Sequence, residues 1–414
     1  MTHDFLVSHI FLFSITFFFG KLILGDIVSA KFTIKEIFSD HWDSFLLDYP
    51  NVRPIVDKEI RKVIGCGDSK NGCAFYVCPD CGAYRFVPFR CHSRFCNTCG
   101  TSYQSDRADC IALKLINCKH RHVVFTIAEE LRILFRKDRS LLHVLFRSAA
   151  QVMSDWFHSL NLKEYFTPGM VVALHTFGRD LKWNPHIHML ITEGASGRFT
   201  QWKKFKYFPF IMLRKKWMTT LLFNLKQALN PDIFSISDFN SLVSLLYRKY
   251  KDGFYVNAPS KEDFNSPMIV AQYITRYIGR PVMAQSRITN YDGTNVTYWY
   301  QRHEDNEIVF KTEHAFEFIK KLIIHIPEKG FNMLRYYGLY AMADKRTAEL
   351  IHLVKRHVRK IIRIKKRWVF RIELSFHYDP LKCPCGGYMK FDNIYIPNCP
   401  AHPPPTVLKY SQYI

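Results

Sequence analysis

Acidic charge is scarce in this chain of 414 residues: 36 Asp and Glu stand against 58 Lys and Arg, a formal net charge of +22. For a soluble protein that imbalance points to a polyanionic partner, nucleic acid before an anionic membrane surface. A disulfide framework is missing too. Twelve cysteines are too few for a secreted scaffold of this length, and most stand in or near Cys-x-x-Cys pairs, which in a reducing compartment bind metal. The features of a signal peptide are also lacking. Residues 5–24 are apolar around Phe17-Phe18-Phe19, but Ser8, His9, Ser14, Thr16, Gly20 and Lys21 interrupt the run. No basic stretch precedes it and no clear small-residue cleavage site follows, so we read residues 1–31 as a hydrophobic extension and not as a membrane anchor. Disorder is excluded by a hydrophobic content of 48%, and the length allows two or three domains with cores of their own.

The cysteines concentrate at the front, as Cys66, Cys73, Cys78-Pro79-Asp80-Cys81-Gly82 and Cys91-His92-Ser93-Arg94-Phe95-Cys96-Asn97-Thr98-Cys99-Gly100. Two knuckles, each turning on a following glycine, can wrap four soft ligands around zinc with little strain, so we expect Cys78, Cys81, Cys96 and Cys99 to form one structural Zn²⁺ site. Arg85, Arg90 and Arg94 between the knuckles are either phosphate contacts or solvated loop charges. Near the C-terminus, Cys383-Pro384-Cys385 with Cys399 and His402 leaves a second zinc site open. A block over 355–367, dense in Lys and Arg with interleaved isoleucines, reads as a phosphate-binding segment or a solvated basic helix.

Chemistry enters with Trp183-Asn184-Pro185-His186-Ile187-His188-Met189-Leu190. Side chains on a strand alternate, so His186 and His188 share one face while Ile187 and Met189 take the other. Residues 170–178 read as a second strand, and together the two make an antiparallel hairpin. Further on, Gln272-Tyr273-Ile274-Thr275-Arg276-Tyr277-Ile278-Gly279-Arg280-Pro281 reads as the end of a helix over 265–280, stopped by Gly279 and Pro281. Four residues apart on a helix, Tyr273 and Tyr277 share a face. Strands are also expected at 121–127, 205–210, 254–257 and 296–300. Helices are expected at 33–38, 53–64, 103–115, 130–160 and 211–229, with an amphipathic one at 312–326. That mixture without strict alternation indicates an α+β sheet with helices on one face.

A histidine pair, a tyrosine pair and the cysteine region, followed by Pro327-Glu328-Lys329-Gly330-Phe331 and Leu334-Arg335-Tyr336-Tyr337-Gly338, span roughly residues 32–345. In that order they resemble the HUH (His-hydrophobic-His) endonucleases, and specifically the two-tyrosine rolling-circle transposases of bacterial insertion sequences. The resemblance implies a zinc-binding domain over 32–115, an HUH nuclease over 116–290 with a central antiparallel, ferredoxin-like or RNA-recognition-motif-like sheet, and a basic region over 291–414. It implies Tyr273 and Tyr277 as nucleophiles that leave 5′-phosphotyrosine. His186 and His188 would hold Mg²⁺ or Mn²⁺, with His175 as third ligand and His122 as the alternative. Arg276, Arg280 and Arg287 would clamp the phosphates of single-stranded DNA. Relatives carry cysteines matching Cys66 and Cys91 but a histidine where this chain has Phe95, so a second zinc through Cys66, Cys73, Cys91 or His92 is not expected. Such a protein would be cytoplasmic and nucleoid-associated. The competing readings are a replication initiator or relaxase of the same chemistry, and a zinc-dependent DNA-binding protein without catalysis.

Overall fold

The computed structural model describes residues 32–258, 267–277, 281–302, 305–341 and 379–399, together with Val369. The apolar run at 5–24, the basic block at 355–367, Gly279, Arg280 and His402 lie outside the described residues. Among the described residues no helix is long and apolar enough to cross a membrane.

The first helix among the described residues is α1 (Ile34–Asp48), started by a capping box: Thr33 Oγ1 accepts from the Glu36 amide at 2.9 Å, and the Glu36 carboxylate accepts from the Thr33 amide. That arrangement satisfies two amides that would otherwise lack partners. Helix α2 (Pro54–Ile64) starts on a proline, which gives up no helical hydrogen bond there. Ile37, Phe38, Trp42, Val56 and Ile60 form a core with Val296, Tyr298, Phe318 and Ile319 from much later in the chain. A hairpin of β1 (Cys73–Val77) and β2 (Tyr84–Pro88) and helix α3 (Asn97–Ala112) complete the front.

The central sheet is antiparallel throughout. It holds β3 (His120–Phe125), β4 (Thr167–Phe177), β5 (Trp183–Ser196), the short β6 (Lys203–Lys204) and β7 (Val256–Asn257). Between them run α4 (Arg132–Lys137), α5 (Leu142–Ser159), α6 (Phe210–Ala228) and α7 (Ile236–Lys249), and after them α8 (Pro267–Thr275). Strand β11 (Leu334–Gly338) joins the edge, for an order β11-β4-β5-β3-β7 with β6 on β5. One face, with Val172, Leu174, Ile187, Met189 and Ile191, packs on α5 and α6 through Leu145, Phe146, Met153, Trp217 and Leu221. The other, with Val171, Ala173 and Leu190, receives α3 and α8. The α+β class holds, but helices cover both faces where one was expected.

A second sheet of β8 (Ile288–Tyr291), β9 (Asn295–Gln301) and β10 (Ile308–His314) leads into helix α9 (Ala315–Ile323). The helix expected at 312–326 therefore begins three residues late. Thr312 is in register with Thr297, their hydroxyls 2.9 Å apart, and His314 caps the helix by accepting from the Phe316 amide. The strand expected at 205–210 does not form: β6 ends at Lys204, the Phe205 amide donates once more to the Glu193 carbonyl, and Pro209 then caps α6. The expected boundaries at 115 and 290 cut through packed units. Residues 288–326 share a core with α1 and α2, β11 completes the central sheet, and β12 (Lys390–Tyr395) pairs with β1.

Candidate functional site

Strand pairing brings a histidine to the β5 pair from each side. His175 on β4 stands opposite His186, and His122 on β3 stands opposite Leu190, two residues beyond His188. One ring nitrogen from each of His175, His186 and His188 lies within 4.8 Å of the others, a group able to hold a cation. His175 Nδ1 is 3.3 Å from His186 Nε2, and His186 Nδ1 lies 2.6 Å from the Asn184 carbonyl. That carbonyl accepts the Nδ1 proton and leaves Nε2 of His186 as a lone pair. His122 stands outside the group and links His188 to Tyr273. Its Nε2 is 2.9 Å from His188 Nδ1 and its Nδ1 is 3.2 Å from Tyr273 Oη.

The donor set fits a divalent cation. His188 Nε2 is buried and, among the described residues, has no hydrogen-bond partner, as suits an atom that ligates a cation. Burial holds His186 down to about 4, the more so with Arg132 nearby and in spite of the Asn184 bond. Burial first, then neighbouring histidines, holds His175 and His188 well below the ordinary range. All three are therefore neutral at pH 7, as ligation requires. With Nε2 of His188 kept as a lone pair, its proton sits on Nδ1 and donates to His122 Nε2. The proton of His122 then sits on Nδ1 and donates to the Tyr273 oxygen.

Helix α8 lies over this face because Val270, Ala271 and Ile274 pack against Val171, Ala173 and Leu190, and against Ala108, Ile111 and Ala112 of α3. The helix ends at Thr275, not at 280 as expected. The Thr275 hydroxyl donates back to the Gln272 carbonyl, and the Arg276 and Tyr277 amides reach carbonyls three residues back, tightening the last turn. The phenols stay together all the same: Tyr277 Oη donates to Tyr273 Oη at 3.1 Å, and the Tyr277 ring stacks on His188 at 3.6 Å.

Of the three arginines, Arg276 is exposed, with its guanidinium 5.7 Å from the Tyr273 ring centre. Arg287 does not fit a phosphate clamp, since its guanidinium donates to the Trp299 and Arg179 carbonyls at 2.9 and 2.7 Å and fastens the second sheet to the β4–β5 turn. Arg94, read from sequence as either a phosphate contact or a solvated loop charge, lines a small cavity with His175, Thr176, Tyr277 and His325. Burial pulls it down to about 10, which still leaves it charged. Its position between Cys91 and Cys96 was the available signal.

The cysteines group differently from the expected Cys78, Cys81, Cys96 and Cys99. Cys96 and Cys99 meet Cys66 and Cys91, while Cys78 and Cys81 meet Cys383 and Cys385. The reason is topological: the β1–β2 hairpin carries the first knuckle away from α3, and Cys66, just past α2, takes its place. Zn–S bonds of about 2.3 Å in a tetrahedron put sulfurs about 3.8 Å apart. Here Cys66–Cys99, Cys91–Cys99 and Cys66–Cys96 are each 3.6 Å, so the first group fits zinc. Cys73 joins neither group, and neither does Cys399 among the described residues. Gly100 lets this site approach the tyrosine segment, since a Cβ there would meet the Arg94 carbonyl at 2.9 Å and the Pro281 ring at 3.0 Å.

A family model described as "Putative transposase" matches residues 169–348, and one described as "Transposase zinc-binding domain" matches residues 37–127. Over 322 residues the chain is 29% identical to the "Transposase for insertion sequence element IS801" of Pseudomonas savastanoi pv. phaseolicola, covering 74% of this chain and 76% of that protein. Both models and this relative are described as transposases. The chain is also 24% identical over 323 residues to the "Putative transposase y4qJ" of Sinorhizobium fredii (strain NBRC 101917 / NGR234), covering 74% and 79%. No solved structure matches the chain. The zinc-domain match contains all of Cys66, Cys91, Cys96 and Cys99 but only half of the second group, and the transposase match contains the three histidines and both tyrosines.

Proposed function

We propose that this transposase nicks and rejoins single-stranded DNA through 5′-phosphotyrosine intermediates, the chemistry of rolling-circle transposition. The observation that carries the reading is two phenols 3.1 Å apart, one hydrogen-bonded to His122 and one stacked on His188, over a group of three neutral histidines. His175, His186 and His188 would hold Mg²⁺ or Mn²⁺, which supplies Lewis acidity at the scissile phosphate. The chain's own groups do the rest. The Tyr273 phenol gives up its proton to solvent as its oxygen attacks phosphorus, its P–O bond forms as the P–O3′ bond breaks, and the 3′ oxygen leaves and takes up a proton from solvent. The ester linkage is conserved, so a later 3′-hydroxyl can reverse the step without ATP. Tyr277 is close enough to take a second strand in the same site. Arg94 supplies positive charge beside the reacting phosphate, and exposed Arg276 meets the flanking backbone.

The test is incubation of the full chain with labelled single-stranded DNA carrying the element's ends, with and without Mn²⁺. The expected result is a covalent adduct that maps to Tyr273 or Tyr277 and is lost in the Tyr273→Phe, Tyr277→Phe double variant. An adduct that survives that substitution, or cleavage with nucleotide on neither residue, would overturn the reading. A replication initiator would cut the same way, but the match to a transposase zinc-binding domain favours transposition.

A further inference from the structure

Half of the second cysteine group, Cys383 and Cys385, lies outside the zinc-domain match, and the nuclease chemistry uses none of its four residues. Cys78 Sγ lies 3.6 Å from Cys385 Sγ, and Cys81 Sγ lies 3.6 Å from Cys383 Sγ, with all four within 4.8 Å of one another. Those separations match the edges of a zinc tetrathiolate, about 3.8 Å, and are far from a disulfide's 2.05 Å. The turns are built to match. Each pair sits in a tight loop closed by backbone bonds, Cys78 amide to Ala83 carbonyl at 2.7 Å and Cys383 amide to Gly387 carbonyl at 2.9 Å. Backbone amides aim at the sulfurs: those of Asp80 and Cys81 at Cys78, that of Cys385 at Cys383, and that of Gly387 at Cys385. Such N–H donors offset the excess negative charge of four thiolates on one divalent ion.

We infer that Cys78, Cys81, Cys383 and Cys385 form a second structural zinc site, a clasp that ties the C-terminal strand to the front of the chain across 307 positions of sequence. The clasp has work that packing alone does poorly. Strand β12 pairs with β1 over Cys73–Val77, and Arg85 reaches the Pro380 and Lys382 carbonyls, but among the described residues the core beneath holds only Cys78, Cys383 and Met389 as buried members. A three-stranded sheet with so small a core is marginal, and closing so long a loop costs entropy that a few ladder bonds do not recover. Metal binding makes up that deficit, as it does in small domains that fold only on their zinc. Of the second site left open in the sequence, Cys383 and Cys385 join the first knuckle, while His402 lies outside the described residues.

The experiment uses the full chain and needs no nuclease activity. Zinc is counted in the purified protein, and cysteine alkylation is mapped by mass spectrometry before and after a strong chelator. Two zinc ions per chain are expected, with Cys81 and Cys385, both exposed, protected from iodoacetamide until zinc is removed, and reactive together afterwards. The Cys383→Ser, Cys385→Ser double variant should carry one zinc, keep Cys66, Cys91, Cys96 and Cys99 protected, and expose Cys78 and Cys81. One zinc in the wild type with Cys385 freely alkylated would overturn the clasp, and so would two zinc ions retained by the double variant.

Discussion

The two faces of the central sheet come from the same strands by simple alternation, yet they do opposite work. On the α5–α6 side Ile187, Met189 and Ile191 are fully buried among aliphatic and aromatic side chains, a surface whose only task is to be excluded from water. On the α3–α8 side His186 and His188 replace that packing with imidazoles that lean on one another, on His122 and His175, and on two phenols. The difference teaches where stability and chemistry can be separated. A strand buried on both faces lets one side carry the fold while the other keeps under-satisfied groups that an apolar lining would not tolerate.

Substitutions along β5 break the comparison most sharply. His188→Ala or His186→Ala should lower nicking about a thousandfold, the upper range for losing one preorganised electrostatic group, while leaving the urea midpoint nearly unchanged. Ile187→Ala or Met189→Ala should instead cost about 2–5 kcal/mol of stability, with residual folded protein still nicking. The two measurements are initial cleavage rate and equilibrium unfolding on the same four variants. A large stability loss in the histidine variants with normal specific activity would erase the division between the faces.

Next in size is Arg94, which reaches the histidine face from the zinc-bearing segment. A charge-assisted hydrogen bond is worth about 1.5–3 kcal/mol, so Arg94→Ala should slow cleavage about ten- to a hundredfold, and Arg94→Lys should recover part of that. Zinc content should stay unchanged in both, which separates a lost phosphate contact from a collapsed cysteine site. Equal rates for wild type and Arg94→Ala would remove Arg94 from the site.

Much of this was legible in the sequence, and what was not has identifiable causes. The β4–β5 hairpin and the shared face of His186 and His188 follow from alternation, which needs only local pattern. That His175 stands opposite His186 depends on register, yet the short turn between the strands made it the nearest candidate. The cysteine groups could not be read from spacing, because which knuckle meets which is decided by the hairpin at 73–88 and by a strand 300 residues further on. The end of α8 was hidden as well: Gly279 and Pro281 are strong stop signals, but the Thr275 hydroxyl ends the helix earlier. Arg287 was expected at the phosphates from the resemblance, and only tertiary contact gave its guanidinium two carbonyls instead.

The polar face should also be the acid-sensitive one. His120, on the same side of β3 as His122, is buried and bonded to the Tyr340 hydroxyl at 2.7 Å, and burial pulls it to about 4, while burial holds His325 to about 3. The unfolded chain takes up these protons as pH falls below about 6.5, whereas the folded chain takes them up only at the lower values. Stability is therefore complete above pH 6.5 and falls as pH drops through 6.5 to 4, by about 1.4 kcal/mol per pH unit for each histidine. Urea melts at pH 7.5 and 5.0 read the slope, and His120→Gln should flatten it. A slope unchanged in that variant would place the acid sensitivity elsewhere.

The smallest effect is expected at the rim, where Arg276 stands exposed beside Tyr273. An exposed guanidinium that meets a DNA phosphate contributes chiefly through counterion release, so its loss weakens binding without touching the bond that breaks. Arg276→Ala should lower single-strand affinity by less than about tenfold and reduce the slope of log affinity against log salt by about one. Cleavage at saturating DNA should be unchanged, because His122, His188 and the two phenols keep their contacts. Binding isotherms at three salt concentrations, paired with single-turnover cleavage, separate the two quantities. A full salt slope together with a fall in the single-turnover rate would move Arg276 from the rim into the reacting group, and the boundary between the site and its DNA-holding surface would have to be redrawn inside α8.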